Sequence, residues 1–197
     1  MGIPGEIPFV SFKKIPRLFR DVIITEKIDG TNGCVHVTED MRVIAGSRNR
    51  WIYPEKGKDN RGFAAWVHEN TEELLKLGPG THYGEWWGKG IQRGYGLDEK
   101  RFSLFNTERW SIDRPSVCGV VPVLYSGRLC TITVSECADR LEEFGSVAAP
   151  GFMQPEGLVV FHPAAGQFFK YTLNGDGHKE LANVASTVVP GSETHVR

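Results

Sequence analysis

No run of about 18 apolar residues occurs in the 197-residue chain, so the sequence offers no transmembrane helix. Its start, Met1-Gly2-Ile3-Pro4-Gly5-Glu6, has neither the basic opening nor the apolar stretch of a secretory signal. Cysteine is scarce. Cys34, Cys118, Cys130 and Cys137 are too few for a disulfide scaffold and form no CxxC pair, so they read as reduced, mostly buried thiols. The histidines His36, His68, His82, His162, His178 and His195 make no HExxH or His-x3-His spacing, which leaves a zinc hydrolase unsupported. Walker-type GxxxxGK[ST], internal repeats and low-complexity tracts are missing as well. Nor is one sign of charge in excess: 23 Lys and Arg face 24 Asp and Glu, a net charge of −1, which excludes a polybasic coat for nucleic acid. These absences leave a cytosolic globular protein.

What is present fits that class. With 40% hydrophobic, 11% aromatic and 24% charged residues the chain can bury a core, and one domain over residues 1–197 is expected. Charge is uneven locally. From Phe12 to Arg61 there are eleven Lys and Arg against seven Asp and Glu, so positive charge can gather on one face.

Alternation predicts strands over Val22–Ile28, Cys34–Thr38 and Arg42–Ala45, joined as an antiparallel run by Asp29-Gly30-Thr31-Asn32-Gly33 and Glu39-Asp40. Asn60 is the expected cap of a first helix whose stripe Phe63, Trp66, Val67, Asn70, Leu74, Leu75 and Leu77 ends at Gly78-Pro79-Gly80. Further strands are expected over His82–Trp87, Phe102–Glu108, Val117–Leu124, Leu158–Phe161 and Phe168–Leu173. Thr133 or Ser135 opens a second helix, with Cys137, Leu141 and Phe144 inward and Gly145 closing it. Trp86 and Trp87 alternate, which predicts one in the core and one toward a site. Antiparallel strand runs with few helices, and no repeated βαβ unit, give an α+β class of antiparallel sheets with flanking helices.

The chemistry concentrates in Thr25-Glu26-Lys27-Ile28-Asp29-Gly30-Thr31-Asn32-Gly33. On a strand Lys27 and Asp29 share a face, and Gly30 lets backbone pass close to whatever lies above the lysine. Taken alone, the pattern also describes a salt bridge at a strand end. Gly46-Ser47-Arg48 adds a guanidinium suited to phosphate. Tyr83-Gly84-Glu85-Trp86-Trp87-Gly88 sets a carboxylate among rings, and Phe105 follows. Glu156-Gly157-Leu158 begins a strand with an acid, and Phe169-Lys170-Tyr171 places a lysine in an apolar strand, an expensive position for an unpartnered charge. The Lys89–Gly96 segment reads as a phosphate cradle or a flexible connector. Lys56, Lys58, Arg61 and Arg93 are further candidates for an RNA backbone.

In this order the motifs resemble the covalent nucleotidyltransferase superfamily of ATP-dependent DNA and RNA ligases and mRNA capping enzymes, over residues 22–173. The Ser-Arg-Asn run at 47–49, Asn32 and Trp87-Gly88-Lys89-Gly90-Ile91-Gln92 resemble the phage and editing-type RNA ligases. The resemblance implies a nucleotidyltransferase, ATP-grasp-like ligase catalytic fold. It implies Lys27 as nucleophile, with Glu26, Asp29, Asn32, Arg48, Glu85, Phe105 and Lys170 around the nucleotide and Glu156 at the metal. Within it Glu85 takes the ribose hydroxyl, Phe105 stacks on adenine, and Arg48 and Lys170 contact phosphate. The implied cofactors are ATP, carried as an AMP adduct, and Mg²⁺ or Mn²⁺. The implied partner is RNA with 5′-phosphate and 3′-hydroxyl ends, including nicked duplex, with DNA as the rival. A lysine amine must be neutral to attack phosphorus, so neighbouring positive charge has to assist it. Thr172 stands where the family's last motif usually has a second lysine, and no appended C-terminal domain such as an OB-fold is expected. A non-catalytic nucleotide or RNA-end binding module is the alternative from another class.

Overall fold

In the computed structural model residues 8–55 and 57–173 are described; Lys56, Asp176-Gly177, His178 and His195 lie outside them. The elements are β1 (Asp21–Lys27), β2 (Thr31–Val37), β3 (Val43–Ser47), α1 (Phe63–Glu69), the short α2 (Thr71–Leu74) with a 3₁₀ turn at Leu75–Leu77, β4 (Gly80–Gly88), β5 (Lys100–Leu104), β6 (Cys118–Val120), β7 (Val123–Arg128), α3 (Thr133–Phe144), β8 (Gly157–His162) and β9 (Gln167–Thr172). They form two sheets, β7-β1-β8-β9 and β3-β2-β4-β5-β6, in which only β5 and β6 run parallel. The expected α+β class is observed. Among the described residues no helix is long and apolar enough to cross a membrane.

Each sheet buries one face under helices. Val22 and Ile24 of β1 and Leu158 and Val160 of β8 pack on Cys137, Ala138 and Leu141 of α3. By alternation Ile23, Thr25 and Lys27 lie on the other face. In the larger sheet Val35, Val37, Trp86, Phe102 and Leu104 pack on Phe63, Val67, Leu74 and Leu77, which leaves Asn32 and Glu85 on the opposite face. A smaller cluster of Ile28, Trp87, Tyr95, Val121 and Ala149 joins the two sheets.

Several expectations are corrected. β1 does not form a hairpin with β2: it pairs with β7 and β8, and the chain crosses between sheets from Lys27 to Thr31. Gly30 permits the crossing. A Cβ there would lie 2.5 Å from the Trp86 carbonyl oxygen and 2.8 Å from Trp87 Cβ. The strand expected over Val117–Leu124 is split between the sheets around Pro122, which has no N–H for a ladder and whose carbonyl accepts the Glu26 N–H at 2.9 Å. β5 ends at Leu104, and beyond it Asn106 Oδ1 accepts the Arg109 N–H. Asp59, not Asn60, serves the start of α1, accepting the Ala64 N–H at 2.7 Å. Both tryptophans are buried, Trp86 under the helices and Trp87 at the seam. Phe144 is exposed, as is Cys130, whereas the other three thiols are buried. His162 is buried and bonded to the Leu18 carbonyl.

Gly30→Ala is expected to lower stability by about 1–3 kcal/mol, the usual cost of overpacking. Urea unfolding measures it, and an unchanged midpoint would contradict the close crossing.

Candidate active site

Lys27 ends β1 and emerges on the helix-free face. Its Nζ lies 2.5 Å from Glu156 Oε1, and both side chains are largely shielded, at 25% and 18% exposure. Glu156 directly precedes β8, where Gly157 pairs with Lys27 and with Thr172 of β9. Thr172 therefore shares the row of Lys27, and Lys170 shares the next row with Val159 and Thr25. Lys170 is exposed on the edge strand, so it carries no burial cost, contrary to the expectation for an apolar strand. Glu156 Oε2 is buried and has no hydrogen-bond partner among the described residues. A buried carboxylate oxygen in that state has lost water without gaining a donor, which a cation would repair.

Three further carboxylates near Lys27 sit in three different environments. Glu26 alternates away from the lysine and is 1% exposed. Ser146 Oγ, the Val147 N–H and the Ala148 N–H donate to it at 2.6, 2.8 and 2.8 Å. It ties the α3–β8 connection to β1, and the structure does not bring its carboxylate to the lysine's side. Asp29 accepts from Arg93 Nε at 2.9 Å, while Arg93 also donates to the Gln154 carbonyl. The Asp29 backbone N–H donates to Tyr95 Oη at 2.8 Å. Glu85 is buried on β4 and accepts from Asn32 Nδ2 at 2.9 Å. Burial pushes its carboxyl up to about 7, and the Asn32 amide and the Lys27 charge only partly offset this.

The glycine-rich connection after β4 is an ordered brace. Ile91 and Tyr95 are buried, and the turns Gly88–Ile91, Ile91–Gly94 and Gly94–Leu97 follow one another. Gln92 and Tyr95 hold left-handed backbones at φ 45° and 54°, conformations that non-glycine residues keep only under surrounding constraint. Sequence reading missed Arg93 and Tyr95 as the residues that hold the Lys27–Gly30 crossing. Two apolar residues, Ile91 and Tyr95, among the four glycines of residues 88–96 were the available signal.

Arg48 is exposed at the tip of the Ser47–Arg50 turn. With Asn32, Asn49, Arg50, Asp59, Asn60 and Glu85 it lines a cavity of about 650 Å³. Asn60 donates to Thr31 Oγ1 and to the Asn32 carbonyl, fixing that wall. Phe105 is 40% exposed, and its N–H donates to the Tyr83 carbonyl. The structure thus gathers Lys27, Glu156, Asp29, Asn32 and Glu85 around one seam, sets Arg48, Phe105 and Lys170 on the surrounding faces, and turns Glu26 inward.

A family model described as RNA ligase matches residues 20–172. In fold the chain is similar to a Naegleria gruberi RNA ligase variant without ligand, at TM-score 0.60 and 23% identity over 81% of this chain and 51% of that one. It is similar to a lysine-to-alanine variant of N. gruberi RNA ligase with ATP and Mn, at TM-score 0.57 and 21% identity over 82% and 52%. A glutamate-to-alanine variant with AMP and Mn gives TM-score 0.59 and 23% identity over 81% and 52%. The chain spans about half the length of these proteins. No protein of curated function matches it significantly in sequence.

The raised Glu85 carboxyl sets a pH dependence. Between its unfolded value of 4.5 and about 7 the folded chain holds a proton that the unfolded chain releases. Its contribution to stability is therefore full below 4.5 and lost as pH rises through about 7. Glu85→Gln keeps the shape without the charge. It is expected to gain stability relative to wild type from pH 5 to pH 8, by up to about 3 kcal/mol. Urea midpoints at the two pH values test this; a gap that does not change with pH would contradict it.

Proposed function

The chain belongs to the RNA ligase family, and we propose from that premise that it is an ATP-dependent RNA-sealing nucleotidyltransferase with Lys27 as its nucleophile. One observation carries the reading: a shielded lysine in contact with a carboxylate whose second oxygen is buried without a partner among the described residues.

In the first step Lys27 Nζ attacks the α-phosphorus of ATP. A P–N bond forms, the bond to the β-phosphate oxygen breaks, and pyrophosphate leaves. An ammonium has no lone pair, so before attack the contact with Glu156 opens and the lysine proton passes to water. In the second step an oxygen of an RNA 5′-phosphate attacks the same phosphorus; the P–N bond breaks, AMP joins the RNA through a pyrophosphate link, and the lysine is restored. In the third step a 3′-hydroxyl attacks the 5′-phosphate phosphorus and AMP leaves, closing a phosphodiester. All three steps depend on positioning and charge stabilisation.

The chain's residues divide this work. Glu85 and Asn32, fixed to each other, take the ribose hydroxyl; Phe105 offers its open face to adenine; Arg48 and Lys170 hold phosphate oxygens. Arg93 and Tyr95 keep the crossing in place so that Lys27 does not wander. Glu156 would hold a hard divalent cation, Mg²⁺ or Mn²⁺, and the ion would neutralise phosphate charge. Among the described residues no three His, Cys, Asp or Glu side chains cluster as a metal cage.

Sealing of a nicked RNA duplex carrying a labelled 5′-phosphate, with ATP and Mg²⁺ or Mn²⁺, tests the reading, with nicked DNA alongside. The expected result is ATP-dependent joining of RNA, abolished by Lys27→Ala and reduced about a hundredfold or more by Glu156→Gln. Sealing that survives Lys27→Ala would remove the lysine from its role, and sealing of DNA alone would move the substrate.

A further inference from the structure

Beyond β3 the chain turns at Ser47–Arg50, where the Ser47 N–H donates to the Arg50 carbonyl at 2.8 Å, and returns with Trp51 paired to Gly46 and the Ile52 N–H donating to Ala45. Ile52 is buried in the core beside Ala45. Alternation then puts Trp51 on the opposite face, the one carrying Asn32 and Glu85. Glycine at 46 makes room for the ring: a Cβ there would lie 2.5 Å from Cys34 Sγ and 3.1 Å from the Trp51 ring. The indole rests at 5.5 Å from the His36 ring, yet Trp51 stays 48% exposed.

Trp51 is part of a row. Gly46 pairs with Cys34, Cys34 with Tyr83, and the Phe105 N–H bonds the Tyr83 carbonyl. Trp51, Tyr83 and Phe105 are all large exposed rings on this one face. Three strand spacings of about 4.8 Å separate the Gly46 and Phe105 ends of the row by about 14 Å, wider than one base. Adenine on Phe105 therefore leaves the Trp51 end free.

The charge beside that end is positive. Arg48 and Arg50 line the adjoining cavity. Of its two acids, Asp59 is engaged by the start of α1 and Glu85 by Asn32. Open aromatic faces flanked by guanidinium groups match an unpaired polynucleotide, whose bases stack and whose phosphates need cations; a duplex hides its base faces.

We propose that Trp51 is a stacking platform for an unpaired base of the RNA substrate, with Arg50 against a neighbouring phosphate, outside the place of ATP. The proposal rests on the ligase reading and adds a second base site to it.

The test measures fluorescein-labelled single-stranded RNA binding by anisotropy across a salt series, and AMP attachment by intact mass, on the full chain. Trp51→Ala and Trp51→Leu, the latter keeping apolar cover over Gly46, are expected to weaken RNA binding about tenfold or more while AMP attachment persists. Trp51→Tyr is expected to retain most of the affinity. Arg50→Ala is expected to lower the salt slope by about one. Unchanged RNA affinity in Trp51→Leu overturns the proposal and leaves the ring to a protein partner. Loss of AMP attachment together with RNA affinity in the folded Leu variant overturns it too, because the ring then serves the nucleotide. Wild-type protein that takes AMP but binds no RNA overturns it and spares the lysine chemistry; wild-type protein that takes no AMP overturns the ligase reading beneath both.

Discussion

The passage of the chain from one sheet to the other between Lys27 and Thr31 is the constraint on which the site depends. Within four residues the backbone leaves the end of β1, with its lysine, and enters β2, whose Asn32 already bonds Glu85 on the next strand. A helix or a long loop there would separate the two groups. The crossing is held on all sides: Ile28 sits in the cluster between the sheets, the Asp29 N–H is taken by Tyr95, its carboxylate by Arg93, and Gly30 lies against the Trp86 carbonyl. Few degrees of freedom remain beside Lys27.

The three glutamates near the lysine share a chemical group and differ only in environment. Glu26 has three donors and is a structural tie. Glu85 has one amide and deep burial, which brings its titration close to neutrality. Glu156 has the lysine on one oxygen and, among the described residues, no partner on the other. Environments that push like groups apart assign them different work. Of the three, Glu156 keeps an unmet need, and it lies beside Lys27.

Much of this was legible in the sequence. Alternation located the strands, and the order of Lys27, Arg48, Glu85, Phe105, Glu156 and Lys170 pointed to one chemistry. The errors have physical causes. Asp29-Gly30 has the composition of a hairpin turn, and only the crowding against β4 makes it a crossing. Glu26 and Lys27 are neighbours in sequence and opposites in space, because a strand turns each successive side chain to the other face. Arg93 and Tyr95 act through a fold of the glycine-rich connection whose local trace is only two apolar residues among the glycines. Trp51 shows itself as a surface ring only once Ile52 is seen to be buried.

The central claim is that this geometry makes Lys27, and no other amine, the acceptor of AMP. Tandem mass spectrometry of proteolytic peptides from protein incubated with ATP and a divalent cation, handled above pH 7 to preserve the acid-labile P–N bond, tests it most directly. The account predicts AMP on the peptide containing Lys27, with fragment ions that assign the adduct to that side chain. An adduct on Lys170, Lys89 or any other residue would contradict it.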